Sequence, residues 1–180
     1  MAMESAFLEA VSHALTEGLE PHFTRDPSRE RSIQDLYWRG WTRDLGWKRD
    51  AVEISYPRKE PDGVLVHLRV YLPCPEGEET LLDGTSVAGV IGGRGRHSFP
   101  NLFGRPLPSR ANKFGKEVLA DTLKALPWFE RYSTPEACLR LLEEGETNWG
   151  QARGRSYRIL KAYLSNLEVN GWRPAIKSES

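Results

Sequence analysis

The chain is short of cysteine, of long apolar runs and of net charge, and each shortage removes a class of function. Its two cysteines, Cys74 beside prolines and Cys138 on the apolar side of an expected helix, make neither a disulfide framework nor a zinc motif. Such usage suits a reducing cytosol. No apolar stretch approaches the roughly 20 residues needed to cross a bilayer. The opening residues carry Glu4 and Glu9 where an export leader would be basic, so a cytoplasmic protein with no membrane partner is the expectation. The 25 basic and 25 acidic residues cancel, so no bulk field draws the whole molecule towards nucleic acid, and any such contact must be local. The four histidines, His13, His22, His67 and His97, show no metal-ligand spacing. Neither a metal nor a cofactor is expected.

What is present points to structure first. One hundred and eighty residues fit a single domain over 1–180, long enough to bury roughly 70% of the unfolded surface without staples. The clearest signals lie in the last third. Phe114, Val118, Leu119, Thr122, Ala125 and Leu126 follow Asn112 at helical spacing, and Pro127 stops the run. Ser133-Thr134-Pro135-Glu136 reads as a capping box with proline in the first turn. It opens a second helix through Cys138, Leu141 and Leu142 to Gly145. Tyr157, Leu160, Tyr163, Leu164 and Leu167 form the stripe of a third.

Earlier in the chain, Phe7, Ala10, Val11, Ala14 and Leu15 predict a helix over about 4–17, and Leu19 to Arg31 reads as a loop with Pro21 and Pro27. Ile33, Leu36, Tyr37, Trp41 and Leu45 fit a further helix from Ser32 to Gly46, with Gly40 as a weak point and Trp38 off the stripe. From Val52 the period becomes two. Val52, Ile54 and Tyr56 alternate with Glu53 and Ser55, and Val64 to Leu72 alternate more strongly after the Pro61-Asp62-Gly63 turn. Thr85 to Ile91 suits a third strand. The fold class expected is α+β, a short antiparallel sheet packed in one layer pair against about five helices.

Chemistry is harder to find. The cluster from Gly89 to Gly95 lacks the helix-opening glycines or Gly-Lys-Ser of a phosphate loop, because Arg96-His97-Ser98 follows. Residues 92–116 carry Arg94, Arg96, Arg105, Arg110, Lys113 and Lys116 and no acid. This reads as a long basic surface loop held down by Phe99, Leu102 and Phe103. His97 within it is the best acid-base candidate, since neighbouring cations favour neutral imidazole. His67 and Arg69 on one strand face could meet Glu53 across the hairpin, as a solvated cluster. No catalytic residue is assigned. Arginine and tryptophan are the usual interface anchors, so Arg94, Arg96, His97, Arg105 and the off-stripe Trp38 are the expected contacts with another protein. The alternatives are a small metal-independent hydrolase or nuclease using His97, and a nucleic-acid binder using the basic loop.

Two segments resemble a bacterial family catalogued as domain of unknown function 4304. They are Leu45-Gly46-Trp47-Lys48-Arg49 leading into a strand, and Leu126-Pro127-Trp128-Phe129-Glu130 before a capped helix. The similarity spans about Phe7 to Leu167 and does not account for the basic loop or Asn148-Trp149-Gly150. It implies a small cytosolic fold without established catalytic residues. Comparable orphan domains are often encoded beside toxins, so the resemblance implies an immunity-type partner of a toxin domain.

Overall fold

Phe7, Val11 and Leu15 are fully buried along one side of the first helix, α1 (Ala2–Leu19). Full burial of each such side chain contributes about 1.5–3 kcal/mol. The computed structural model describes residues 2–57, 63–74, 79–93, 97–99, 108–147 and 153–170. Five strands follow one another in a meander, β1 (Thr24–Ile33), β2 (Leu36–Asp44), β3 (Arg49–Pro57), β4 (Gly63–Pro73) and β5 (Glu79–Ser86), and lie in that same order in the sheet. A two-residue strand, β6 (His97–Ser98), pairs antiparallel with the start of β4. The helices are α1, α2 (Val87–Ile91), α3 (Pro108–Ala125), a 3-10 helix over Leu126–Tyr132, α4 (Pro135–Glu144) and α5 (Arg153–Asn170). The fold is α+β, the class expected, with an antiparallel sheet and, among the described residues, five α-helices.

The chain forms two compact units, and β2, β3, β4 and β5 contribute residues to both. The first holds residues 1–42, 52–67 and 86–126. In it α1 and α3 cross closely: a Cβ on Gly115 would lie 2.5 Å from the carbonyl oxygen of Ala10, so only glycine lets the backbones meet. On β2, Trp41 and Arg39 point to α1. The Trp41 indole donates to Thr16 Oγ1 at 3.0 Å, and Arg39 donates to Ser12 Oγ at 2.7 Å and Glu9 Oε1 at 3.0 Å.

The second unit holds residues 43–51, 68–85 and 127–180. Its α4 begins and ends where local chemistry dictates. Thr134 accepts from the Ala137 amide at 3.1 Å, Pro135 fills the first turn, and Gly145 closes the helix at φ 77°. Cys138, Leu139, Leu141 and Leu142 are buried. Trp128, Phe129 and Tyr132 of the 3-10 helix pack against one another, the Trp128 ring centroid 5.4 Å from Phe129 and 4.8 Å from Tyr132.

Several expectations are corrected. The expected helix over 32–46 is instead the end of β1, a two-residue turn and β2, because Ile33 and Leu36 close a hairpin and the aromatic side chains that follow favour an extended chain. Residues 24–31, expected as loop, form edge strand β1. Only Arg29 on it is fully buried, so it carries no apolar alternation to read. The third strand ends at Ser86, whose hydroxyl caps α2 by accepting from the Gly89 amide at 3.0 Å. The expected loop 92–116 is helical from Pro108, so Arg110, Lys113 and Lys116 lie on α3. Glu53 and Ser55 are buried, not solvated. Tyr157 is exposed while Ser156, Leu160 and Tyr163 of α5 are buried, which rotates the expected stripe. The Pro61-Asp62-Gly63 turn lies outside the described residues except for Gly63.

Candidate functional site

The site begins with an irregularity in β1. Its register with β2 runs Asp26↔Gly40 and then Arg31↔Trp38, so Pro27 to Glu30 stand opposite the single residue Arg39. This bulge lets Arg29 cross the sheet. Its Cβ would lie 2.7 Å from a Cβ on Gly40, which is why that position is glycine. Arg29 Nη1 then reaches 3.7 Å from Glu53 Oε1, and Arg31 Nη2 is 3.3 Å from Glu53 Oε2. Glu53, on β3, is buried between two guanidinium groups. Removing either would leave a buried carboxylate undercompensated, at a typical cost of about 3–5 kcal/mol. Asp26 holds the start of the bulge. Burial pushes its carboxyl up, but hydrogen bonds from the Ser28 hydroxyl and amide and the charge of Arg29 bring it below the usual range.

Strand alternation puts Arg31, Trp38, Glu53, Ser55 and His67 on the face opposite Arg39 and Trp41. There the Trp38 ring lies 4.9 Å from that of His67 at 31°, with the Arg31 guanidinium 5.4 Å from the indole centroid. His67 Nε2 and Ser55 Oγ are 2.9 Å apart. Ser55 is only 4% exposed. This serine and histidine are in hydrogen-bond contact, but the hydroxyl has no access to a substrate, so the pair orients the imidazole beneath the indole. Trp38 remains half-buried and Arg31 29% exposed. The arrangement is a fixed aromatic and cationic surface, suited to recognition.

Of the residues expected at a partner site, Trp38 occupies this face. His97 sits apart from it on β6, and Arg94, Arg96 and Arg105 lie outside the described residues. His97 Nε2 is 3.9 Å from Asp121 Oδ2, beyond hydrogen-bond length, and Lys124 already engages Asp121 Oδ1 at 2.9 Å. Of His67, Arg69 and Glu53, expected as a solvated cluster, Glu53 is buried and is met by Arg29 and Arg31 of β1, His67 contacts Ser55, and Arg69 donates to the Tyr71 hydroxyl at 3.3 Å. Sequence reasoning did not place Arg29, Arg31, Ser55 or His67 at a site with Trp38. Only the strand order, which was not legible over 24–44, aligns them.

A second cluster of charge lies within the other unit. Asp50 is buried and accepts from Lys48 Nζ at 2.7 Å and Arg43 Nη2 at 2.6 Å. Lys48 itself is 1% exposed. Burial pushes the nearby Cys138 thiol up to about 12, the charge of Lys48 offsetting only part of it, so this thiol is not a nucleophile. Tyr132 donates to the buried carboxylate of Asp83. Burial, then the hydrogen bond to Asp83 and the charge of that carboxylate, raise its phenol well above the ordinary value. Both carboxylates meet these donors inside the unit.

Among the described residues, no group of histidines, cysteines and carboxylates could hold a metal ion, and no helix is long and apolar enough to cross a membrane. No protein family, curated protein or solved structure matches this chain.

Proposed function

We propose that this protein is a non-enzymatic, cytoplasmic protein-binding domain of the immunity type, which sequesters a bacterial toxin domain through the Trp38 face of its first unit. One observation carries the reading: a half-buried tryptophan held against His67 and beside Arg31 on a strand face, with Glu53 fixing the cation. Tryptophan and arginine dominate the energetics of protein interfaces, and side chains ordered before binding lose little entropy on association. Arg94, Arg96 and Arg105 are assigned to the same partner on their sequence alone.

The test is titration of the purified protein with the partner that co-purifies with it, expected to be a toxin domain. Trp38→Ala should weaken binding by about 2 kcal/mol or more, roughly 30-fold, and Arg31→Ala by a smaller factor. Unchanged affinity in both variants, with circular dichroism like that of the parent, removes this face from the claim. Charge reversal at Arg94 and Arg96 tests the basic segment separately.

A further inference from the structure

We infer that β6, with Phe99 behind it, is an acid-releasable strap, and that protonation of His97 unseats it from β4 and from the α1/α3 pair. The inference is independent of the Trp38 face.

Among the described residues, the strap is held by few contacts. Its two residues pair Val64↔His97 and Gly63↔Ser98, and Gly63 has no room for a Cβ against the His97 carbonyl, so the two backbones lie in close apposition. Phe99 stacks on Phe7 of α1 with centroids 5.1 Å apart and meets Phe114 of α3 edge-on at 5.4 Å. An element with so few hydrogen bonds opens at low free energy, so one ionisation can decide whether it stays docked.

His97 supplies that ionisation. Its side chain is 20% exposed and faces α3. Among the described residues, the charged groups near it are Asp121, whose other oxygen is taken by Lys124, and Glu117, both on α3; Arg96, which precedes it in the chain, lies outside the described residues. Its β4 partners, Gly63 and Val64, bring no charge, and neither does Phe7 of α1. A proton on the docked imidazole would therefore be poorly solvated and only partly compensated. Burial does hold the docked imidazole below the ordinary value of 6.5, against the opposing pull of Asp121 and Glu117. The sign follows from linkage. The undocked imidazole takes up its proton near 6.5 and the docked one only at lower pH. Docking is therefore fully favoured above that value and weakens as pH falls through it. Release would bare the ring faces of Phe7 and Phe114 that Phe99 now covers.

The experiment is amide exchange on the whole protein at pH 7.5 and 5.5, corrected for intrinsic rates, comparing residues 63–64 and 97–98 with residues 52–56 of the sheet. In the parent, the strap should lose protection at pH 5.5 while 52–56 keep theirs. His97→Gln should remove the pH dependence, and Gly63→Ala should lose strap protection at both pH values. Equal protection at both pH values in the parent overturns the inference, as does the same acid loss in His97→Gln. Should His97→Gln not fold, a nuclear magnetic resonance titration of the parent decides. The His97 ring and the Phe99 ring shifts should then move together with a midpoint below 6.5, and separate or higher midpoints refute it.

Discussion

Replacing Tyr132 by phenylalanine removes one oxygen from the second unit and creates no cavity, so it isolates the contact with Asp83. Both groups are buried, at 0% and 1% exposure, and the tyrosine hydroxyl donates to the carboxylate. Asp83 keeps a donor in the Gly84 amide at 2.7 Å, so the loss is partial. Hydrogen bonds to charged groups contribute about 1.5–3 kcal/mol, and a buried acceptor left short of a donor sets the cost near the top of that range. For a chain of this length each kcal/mol lowers Tm by about 2–4 °C, so Tyr132→Phe should melt about 5–10 °C below the parent by circular dichroism. Tyr157→Phe, at a 37% exposed position on α5, is the control and should melt with the parent. A shift under about 2 °C for Tyr132→Phe would mean that the carboxylate is satisfied without the phenol, and the reasoning fails.

Other outcomes follow from the same packing. Gly115→Ala gains about 1 kcal/mol of helix propensity but drives a methyl against the Ala10 backbone. Overpacking of this kind costs about 1–3 kcal/mol, so urea unfolding should show a net loss. Gln34, at φ +56° in the β1–β2 turn, is held where a side chain is strained, so Gln34→Gly should raise stability by about 1 kcal/mol in the same assay. Tyr132 and Cys138 both stay protonated in the folded chain while their unfolded counterparts ionise near 10 and 9. Stability is thus complete below pH 9 and falls as pH rises through 9 and 10, which unfolding at pH 7.5 and 10.5 will show. Neither Cys74 nor Cys138 should react with a thiol reagent until the protein is denatured, when both should, as an absorbance assay can count.

Local rules made the C-terminal helices legible: the Thr134 cap, the proline after it and the Gly145 stop act within a few residues of each other. The alternation of β4 was equally plain, because Val64, Val66, Leu68, Val70 and Leu72 are all buried. The β1–β2 hairpin was hidden for two reasons. Its apolar residues happen to recur at helical spacing, and Arg39 faces the helix side of the sheet, where Glu9 and Ser12 receive it. A charge placed inward by a partner distant in sequence defeats any reading by hydrophobic period. Glu53 fails the alternation rule for the same reason, since the guanidiniums that bury it come from β1. Trp38 was visible as an aromatic without a place on its stripe, but its neighbours Arg31 and His67 become neighbours only through strand order.

The bulge that carries Arg29 to Glu53 has a second effect. β1 is the outermost strand at its end of the sheet, and a straight outer strand offers a row of open amides and carbonyls to any other chain. Pro27, which has no amide hydrogen, and the three bulged residues after it interrupt that row midway, so no long uniform ladder is available to a neighbour. The same kink that supports the tryptophan face thus also discourages the molecule from templating its own polymerisation.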